Sequence, residues 1–292
     1  ASDYVPKPES TREVHASLDF RRELVEKVKI YAAKRRRSLG LPLPGGKLPD
    51  SARPDGRPEN RRPAYSVVRR GEAKAETPAR SLRTTEDGGR QIVLRTASTA
   101  QPELLAIGAS TGGPQAVIAL VKSIADAVSG VPVVIVQHMP PTFTGILADH
   151  IARASGLTVK EAEDGETAMR GRVYVAPGGY HMAVRRESGQ SLLQINQDPP
   201  ENFCRPAVDP LLRSLAAGLG NRALAAILTG MGHDGLRGAR DLVGAGSTLA
   251  QDEASSVVWG MPGAVATAGL CAAVEPLDAL GARICKLLGG AR

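Results

Sequence analysis

An apolar run that ends in a glycine-rich turn, Leu104-Leu-Ala-Ile-Gly-Ala-Ser-Thr-Gly-Gly113, decides the fold class of this chain. The run shows no alternation of polar and apolar residues, which predicts a strand buried on both faces of a sheet. The glycines that follow allow a sharp turn into a helix, and Pro114 suits the first turn of that helix. A buried strand that leads directly into a helix is typical of parallel α/β sheets.

The same pattern repeats over residues 101–292 and predicts a doubly wound, mostly parallel sheet with helices on both faces. The predicted strands are Leu104–Ala109, Val131–Gln137, Val173–Ala176, Leu224–Thr229 and Thr248–Gln251. The predicted helices are Pro114–Val128, Gly145–Ala154, Val208–Gly218, Gly235–Gly244, Pro262–Ala268 and Pro276–Leu288. Two further strands, Met182–Arg186 and Leu192–Asn196, flank a turn that contains Gly189 and predict an inserted antiparallel hairpin.

Charge and composition separate the first hundred residues from the rest. Residues 1–100 carry 22 Lys and Arg against 13 Asp and Glu, a net charge of +9, whereas the remaining residues carry 15 against 17, a net charge of −2. Residues 35–100 lack hydrophobic periodicity and are rich in Pro and Arg, which predicts a flexible basic linker. Because the basic charge lies outside the predicted folded domain, we expect no nucleic-acid partner.

The cysteines and the apolar runs exclude other classes of protein. Cys204, Cys271 and Cys285 form no C-x-x-C pair, so we expect neither a disulfide framework nor a zinc site. No apolar run approaches the roughly 20 residues that span a bilayer, and the first residues lack the pattern of a signal peptide. We therefore expect no membrane insertion and a cytoplasmic location. Cys204 is interpreted as inert and Arg205 as a solvated charge.

Three polar side chains follow three different predicted strands. Ser110 lies in a G-x-S-x-G turn, His138 follows the second strand, and Asp234 follows the strand that ends at Thr229. Ligand sites of open parallel sheets lie outside the carboxyl ends of the strands, so these side chains are expected at one edge. A serine needs a base and the base needs a partner, which makes the three a candidate nucleophile, base and acid. The backbone N–H of Thr111, at a predicted helix N-terminus, suits an oxyanion.

Other interpretations of this edge stay open on the residues alone. Glycine-rich strand-to-helix turns also bind phosphate groups, although the G-x-G-x-x-G fingerprint is absent here. The alternatives are therefore an anion-binding or nucleotide-binding α/β protein, and a non-catalytic binding module. The ordinary α/β-hydrolase order of serine, acid and then histidine is not met, because neither His181 nor His233 has an acid partner after its own strand.

Successive blocks of residues 103–290 resemble the methylesterase domain of the CheB-type chemotaxis proteins. The blocks are Ala106–Gly113, Gln137–Thr144, Glu161–Glu166, Tyr174–Gly178, Arg205–Asp209, Ile227–Gly232 with Asp234-Gly235, and Gln251–Ser256 with Gly260–Pro262. The resemblance implies that Ser110, His138 and Asp234 form the catalytic triad. It places the oxyanion donors on the backbone N–H groups of Thr111 and Met231. The implied reaction is hydrolysis of glutamate methyl esters, with deamidation of glutamines, on methyl-accepting chemoreceptors, without a metal or an organic cofactor.

The resemblance also divides the chain into three parts. Residues 1–34 are similar to the end of a receiver domain, with Lys7 at the position of the family's phosphate-contacting lysine. Residues 35–100 form the linker, and residues 101–292 form the catalytic methylesterase domain. A complete receiver would imply a chemotaxis histidine kinase as a partner. A receptor substrate implies an association with receptor arrays.

Overall fold

A seven-stranded parallel sheet forms the centre of the structure, which is a computed structural model that describes residues 83–289. The strands are β1 (Arg83–Asp87), β2 (Arg90–Leu94), β3 (Leu104–Ala109), β4 (Val133–Gln137), β5 (Thr158–Glu161), β6 (Arg172–Val175), β7 (His181–Glu187), β8 (Gln190–Asn196), β9 (Ala223–Ile227), β10 (Ser247–Gln251) and β11 (Ala273–Glu275). The helices are α1 (Gly113–Ser123), α2 (Ala125–Val128), α3 (Phe143–Ser155), α4 (Val208–Gly218), α5 (Leu236–Leu242), α6 (Met261–Thr267) and α7 (Leu277–Gly289). Within this part of the chain, every helix is too short or too polar to cross a bilayer.

The strand order of the central sheet creates a site for a ligand. The order is β11-β10-β9-β3-β4-β6-β5, and each neighbouring pair is parallel. From β3 the chain runs outward to β4 on one side, and from β9 it runs outward to β10 on the other. The carboxyl ends of β3 and β9 therefore flank a topological switch point, where open α/β sheets hold their ligands.

Two apolar layers cover the faces of the sheet. Residues of β3 alternate between them: Leu104 packs into the layer that contains α4, α5 and α6, and Leu105 into the layer that contains α1, α3 and α7. Every residue of β3 is buried, which explains why its sequence is apolar throughout. Burial of each large aliphatic side chain contributes about 1.5–3 kcal/mol to folding. The prediction of a doubly wound, mostly parallel sheet with helices on both faces is confirmed.

Individual elements follow the predictions closely where the sequence is apolar. The strand Leu104–Ala109 and the helix Val208–Gly218 have the predicted bounds. The antiparallel hairpin is formed by β7 and β8, which are joined at Ser188 and Gly189 with positive φ angles. The strands β5 and β11 were missed, because β5 is a polar strand at the sheet edge and β11 is only 3 residues long.

A second hairpin lies inside the segment predicted to be a flexible linker. Strands β1 and β2 pair in antiparallel fashion around a turn at Gly88 and Gly89, both with positive φ. The side chain of Ile92 is only 1% exposed and belongs to the apolar layer beneath α6. Residues 83–94 are therefore part of the folded structure rather than linker. The predictions for residues 1–34 and for the linker up to residue 82 lie outside the described residues.

Candidate active site

Ser110 lies in the turn between β3 and α1, at the switch point of the sheet. Its backbone N–H donates to the carbonyl oxygen of Thr229 (3.1 Å), after β9. Its own carbonyl oxygen accepts from the backbone N–H of Gly113 (2.7 Å) and from the side-chain amide of Gln137 (2.9 Å), at the end of β4. Both strands that neighbour β3 therefore hold the turn in place.

The loop after β9 packs directly against Ser110, and this contact requires a glycine at position 230. A Cβ atom added to Gly230 would lie 2.9 Å from the Cβ of Ser110 and 2.5 Å from the sulfur of Met261. Neither distance is compatible with an ordinary van der Waals contact, so any larger residue would displace the serine. The serine turn and the loop that carries Asp234 are thus joined in one packed unit.

His138 follows β4, and its ring binds the carboxylate of Asp234. The backbone N–H of His138 donates to the carbonyl oxygen of Ala109 (3.1 Å), which places the histidine beside the serine turn. Nε2 lies 2.7 Å from Oδ2 of Asp234, and the His138 side chain is 12% exposed. Because a carboxylate accepts hydrogen bonds, Nε2 carries the proton and Nδ1 is the nitrogen left to act as a base.

Asp234 is nearly completely buried, and donors surround its carboxylate. In addition to His138, the donors are the backbone N–H groups of Val208 (2.6 Å), Asp209 (3.0 Å) and Gly235 (2.9 Å) and the side-chain amide of Asn202 (2.8 Å). Since Val208 and Asp209 begin α4, the carboxylate lies at the positive end of that helix. Burial by itself raises the pKa of Asp234, but the hydrogen bond and charge of His138 and the N–H donors hold it below its usual value. The carboxylate is therefore ionised at neutral pH.

The sulfur of Cys204 contacts the other ring nitrogen of His138, Nδ1. Its sulfur lies 3.3 Å from Nδ1, and within residues 83–289 no hydrogen bond joins this nitrogen to the hydroxyl of Ser110. Burial lowers the pKa of His138, but the negative charge of Cys204 and the hydrogen bond to Asp234 outweigh it and raise the pKa to about 10. Cys204 and Asp234 therefore both favour the protonated form of the ring.

The proposed oxyanion donors follow β3 and β9 at the same edge. In the part of the chain that the structure describes, the backbone N–H groups of Thr111 and Met231 donate to no protein acceptor. The hydroxyl of Thr111 is also buried without a partner, in a side chain that is 1% exposed. Thr111 lies just before α1, where unpaired N–H groups can bind developing negative charge, whereas Met231 lies in the loop between β9 and α5.

The loop between β8 and α4 contributes side chains to the site that the sequence pattern did not indicate. Asn202 and Cys204 lie in this loop and follow no strand of the central sheet. The rule that ligand sites lie after the carboxyl ends of parallel strands therefore did not indicate them. Cys204, interpreted as inert, contacts the ring of His138. Arg205, interpreted as a solvated charge, instead donates to the carbonyl oxygens of Gln197 (2.9 Å) and Asp198 (3.1 Å) and closes the loop.

The two other histidines considered, His181 and His233, take no part in the contact between His138 and Asp234. His181 is 1% exposed, its Nε2 donates to the carbonyl oxygen of Pro199 (3.1 Å), and its Nδ1 accepts from the N–H of Ala207 (3.2 Å). Both nitrogens therefore hold the backbone. His233 is exposed to solvent beside the buried Asp234. A serine turn, an imidazole and a buried carboxylate that converge at one sheet edge are typical of serine-type hydrolases.

Comparisons with known proteins identify the family within that class. The sequence model of CheB methylesterase matches residues 105–284. The protein-glutamate methylesterase/protein-glutamine glutaminase 1 of Paramagnetospirillum magneticum is 48% identical over 288 residues, which cover 98% of this chain and 70% of that protein. A protein-glutamate methylesterase/protein-glutamine glutaminase of Azospirillum brasilense is also 48% identical over 288 residues, which cover 98% of this chain and 67% of that protein.

A solved structure agrees with these sequence relatives. The crystal structure of the Thermotoga maritima CheB methylesterase catalytic domain matches with a TM-score of 0.61 and 37% identity. The match covers 64% of this chain and 100% of that chain. The chain therefore belongs to the CheB methylesterase family, and the resemblance found in the sequence is confirmed.

Proposed function

We propose that this protein hydrolyses glutamate methyl esters on methyl-accepting chemoreceptors and deamidates glutamine side chains of the same receptors. The names of the sequence relatives give both activities to those proteins. The observation that carries the proposal is the 2.7 Å contact between the ring of His138 and the buried carboxylate of Asp234, beside the Ser110 turn. A base with an ionised partner, next to a serine at the carboxyl edge of the sheet, provides the groups that acyl transfer needs.

The reaction begins with attack of the Ser110 hydroxyl on the ester carbonyl carbon. Nδ1 of His138 accepts the serine proton as the new C–O bond forms, because Nε2 is committed to Asp234. The carboxylate does not take up the proton but stabilises the charged ring. In the tetrahedral intermediate the carbonyl oxygen carries the negative charge. The backbone N–H groups of Thr111 and Met231 bind this oxygen, and one such donor contributes about 10²–10³ to the rate.

Three proton transfers complete the cycle. The charged ring of His138 returns its proton to the methoxy oxygen, the C–O bond to that oxygen breaks, and methanol leaves an acyl group on Ser110. A water molecule then attacks the acyl carbon while His138 takes its proton. The charged ring returns this proton to the oxygen of Ser110 as the C–O bond to the serine breaks, and the free glutamate side chain is released. A glutamine substrate follows the same route and releases ammonia. Apart from the water molecule, the groups of this cycle are side-chain and backbone groups of the protein.

The cellular setting belongs to the same proposal. A receptor substrate places the enzyme in the cytoplasm, in association with receptor arrays, where the receptor side chains to be modified are exposed. Residues 1–34 resemble the end of a receiver domain, and Lys7 matches its phosphate-contacting lysine. In a form of the protein with a complete receiver, a chemotaxis histidine kinase is the proposed source of the phosphoryl group.

The glycines of the serine turn are explained by the packing of the protein itself. Gly112 has a φ of 77°, and an added Cβ would lie 2.5 Å from the side chain of Val257. A Cβ on Gly113 would lie 2.0 Å from the side-chain oxygen of Gln137. The glycines are therefore required by the turn and by its protein neighbours, and their presence needs no phosphate group to explain it.

Methanol release tests the proposal. The substrate is a cytoplasmic receptor fragment with radiolabelled methyl esters. The variants are Ser110→Ala and the matched control Ser129→Ala, whose exposed hydroxyl donates to the carbonyl oxygen of Asp126. We expect Ser110→Ala to lower turnover by at least about three orders of magnitude, while its unfolding curve and the control rate stay unchanged. A folded Ser110→Ala variant with normal methanol release would contradict the serine mechanism. Absence of release from the unaltered protein, with receptor binding retained, would favour a non-catalytic binding module.

A further inference from the structure

The position of Cys204 beside the catalytic base is fixed by its own loop. Backbone hydrogen bonds join Glu201 and Cys204 in both directions, at 3.1 and 2.9 Å. Between them, Asn202 and Phe203 have positive φ angles of 51° and 62°. The side-chain amide of Asn202 donates to Asp234 (2.8 Å) and to Asp209 (2.9 Å), which anchors the loop at the acid of the site. The contact of 3.3 Å between Sγ and Nδ1 of His138 therefore belongs to a constrained structure.

The sulfur and the serine hydroxyl need the same nitrogen. Nε2 of His138 is bound to Asp234, so Nδ1 is the atom that must accept the proton of Ser110. In this structure Nδ1 faces the sulfur of Cys204. We propose that Cys204 is a positioning residue that holds Nδ1 of His138 by sharing a proton with it and thereby withholds the base from Ser110. This inference rests on the proposed function, because it assigns Cys204 a role relative to the serine.

The proton balance of this arrangement is simple. When the thiol proton of Cys204 moves to Nδ1, a thiolate and an imidazolium form, and the base is unable to accept another proton. When the proton returns to the sulfur, Nδ1 regains its lone pair, and the hydroxyl of Ser110 is able to donate to it once the hydrogen bond from the thiol breaks. No redox step and no other reactant are involved. Cys204 itself is not placed as an acyl acceptor, because the proposed oxyanion donors flank Ser110.

The electrostatics of the site agree with this role. The negative charge of Cys204 is the largest of the contributions that raise the pKa of His138 to about 10, ahead of the hydrogen bond to Asp234. Two groups thus face the ring directly: Cys204, from the loop before α4, and Asp234, from the loop before α5. Asp209 and Glu201 lie behind them, held by Asn202 and by Arg213 respectively. Removal of the sulfur should therefore lower the pKa of the ring while Asp234 keeps its contact.

An NMR titration tests the proposal without any substrate. Histidine labelled with ¹³C and ¹⁵N reports the protonation of His138, whose signal is assigned by its loss in His138→Gln. The variants are Cys204→Ala and Cys204→Ser, and the matched control is Cys285→Ala, whose sulfur lies near the carbonyl oxygen of Ser123. We expect the titration midpoint of His138 to fall by about one pH unit or more in both Cys204 variants, as removal of a close opposite charge predicts, and to stay unchanged in the control.

The rate profile separates this proposal from the proposed function. The acid limb of kcat/KM for methanol release should move to lower pH in the same two variants, because the neutral ring is then available over a wider range. A His138 midpoint that is the same in the unaltered protein, Cys204→Ala and Cys204→Ser overturns the role of Cys204, whatever the esterase rate. If Cys204→Ala does not fold, Cys204→Ser decides by the same criterion. A shifted midpoint in a protein without esterase activity refutes the proposed function and leaves the sulfur–imidazole contact established.

Discussion

Replacement of Asp234 by Asn is the sharpest perturbation of the site, because it keeps the shape of the side chain and removes one acceptor atom. Oδ1 accepts from the N–H groups of Asp209 and Gly235 and from Asn202, whereas Oδ2 accepts from Val208 and His138. An asparagine retains the larger set of contacts by keeping its oxygen at the Oδ1 position. Its amide nitrogen then takes the place of Oδ2, where it meets two donors.

The expected destabilisation follows from the two hydrogen bonds to Oδ2 that are lost. Each hydrogen bond to a charged group contributes about 1.5–3 kcal/mol, so the loss of both predicts a destabilisation of about 3–6 kcal/mol. This is a large part of the 5–15 kcal/mol that stabilises a typical domain. Catalysis should suffer separately, because Nε2 of His138 no longer faces an acceptor and the ring changes its tautomer. A loss of about 10⁴ in kcat is expected from the same change at other serine hydrolases.

Urea unfolding and methanol release measure the two effects independently. The matched control is Asp241→Asn, an exposed carboxylate on α5, which should change neither quantity. The reasoning would be refuted by an Asp234→Asn variant that is destabilised by less than about 1 kcal/mol, since a surface substitution can have that effect. A variant with near-normal kcat would equally remove Asp234 from the proposed mechanism.

Two further predictions concern protonation and packing. The pKa of His138 is about 10 in the folded protein against an ordinary value of 6.5, so its contribution to stability is fully present below pH 6.5 and is lost as the pH rises towards 10. The unfolding free energy of the unaltered protein minus that of His138→Gln should therefore fall over this range, and a constant difference would contradict the raised pKa. Gly230→Ala should displace Ser110 and lower kcat, because the new Cβ would lie 2.9 Å from the Cβ of the serine. Gly145→Ala, on α3 with its closest contact at 3.5 Å, is the control for Gly230→Ala, and equal rates in both variants would show that the serine turn adapts.

The central sheet was predictable because its strands are buried on both faces. An apolar run such as Leu104–Ala109, bounded by a glycine turn, has few alternatives to a core strand. The strand Thr158–Glu161 was not predicted, because an edge strand with one neighbour needs no apolar sequence. The hairpin at residues 83–94 was not predicted, because the basic and Pro-rich composition of the surrounding segment indicated a linker. Its Asp87-Gly88 turn is nevertheless a typical hairpin signal.

The candidate site was also predictable only in part. The positions after β3, β4 and β9 were predicted to converge because parallel strands end at a common edge, and the structure brings the His138 ring and the Asp234 carboxylate together there. The catalytic roles of these residues and of Ser110 stay predictions. The contact of Cys204 with the ring depends on a loop with positive φ angles and on the anchor that Asn202 provides. Neither a strand end nor a periodic pattern marks such a loop in the sequence.

The β1–β2 hairpin decides where a minimal catalytic fragment of this enzyme can start. A fragment trimmed to residues 101–292 would lose Ile92, whose side chain is 1% exposed within the apolar layer. Deletion of a buried aliphatic side chain of this size costs about 2–5 kcal/mol. The trimmed fragment would also lose Asp87, whose carboxylate accepts from the N–H of Glu253 at 2.9 Å. A start upstream of Arg83 preserves these contacts, so a domain boundary drawn from composition alone would yield a weakened enzyme.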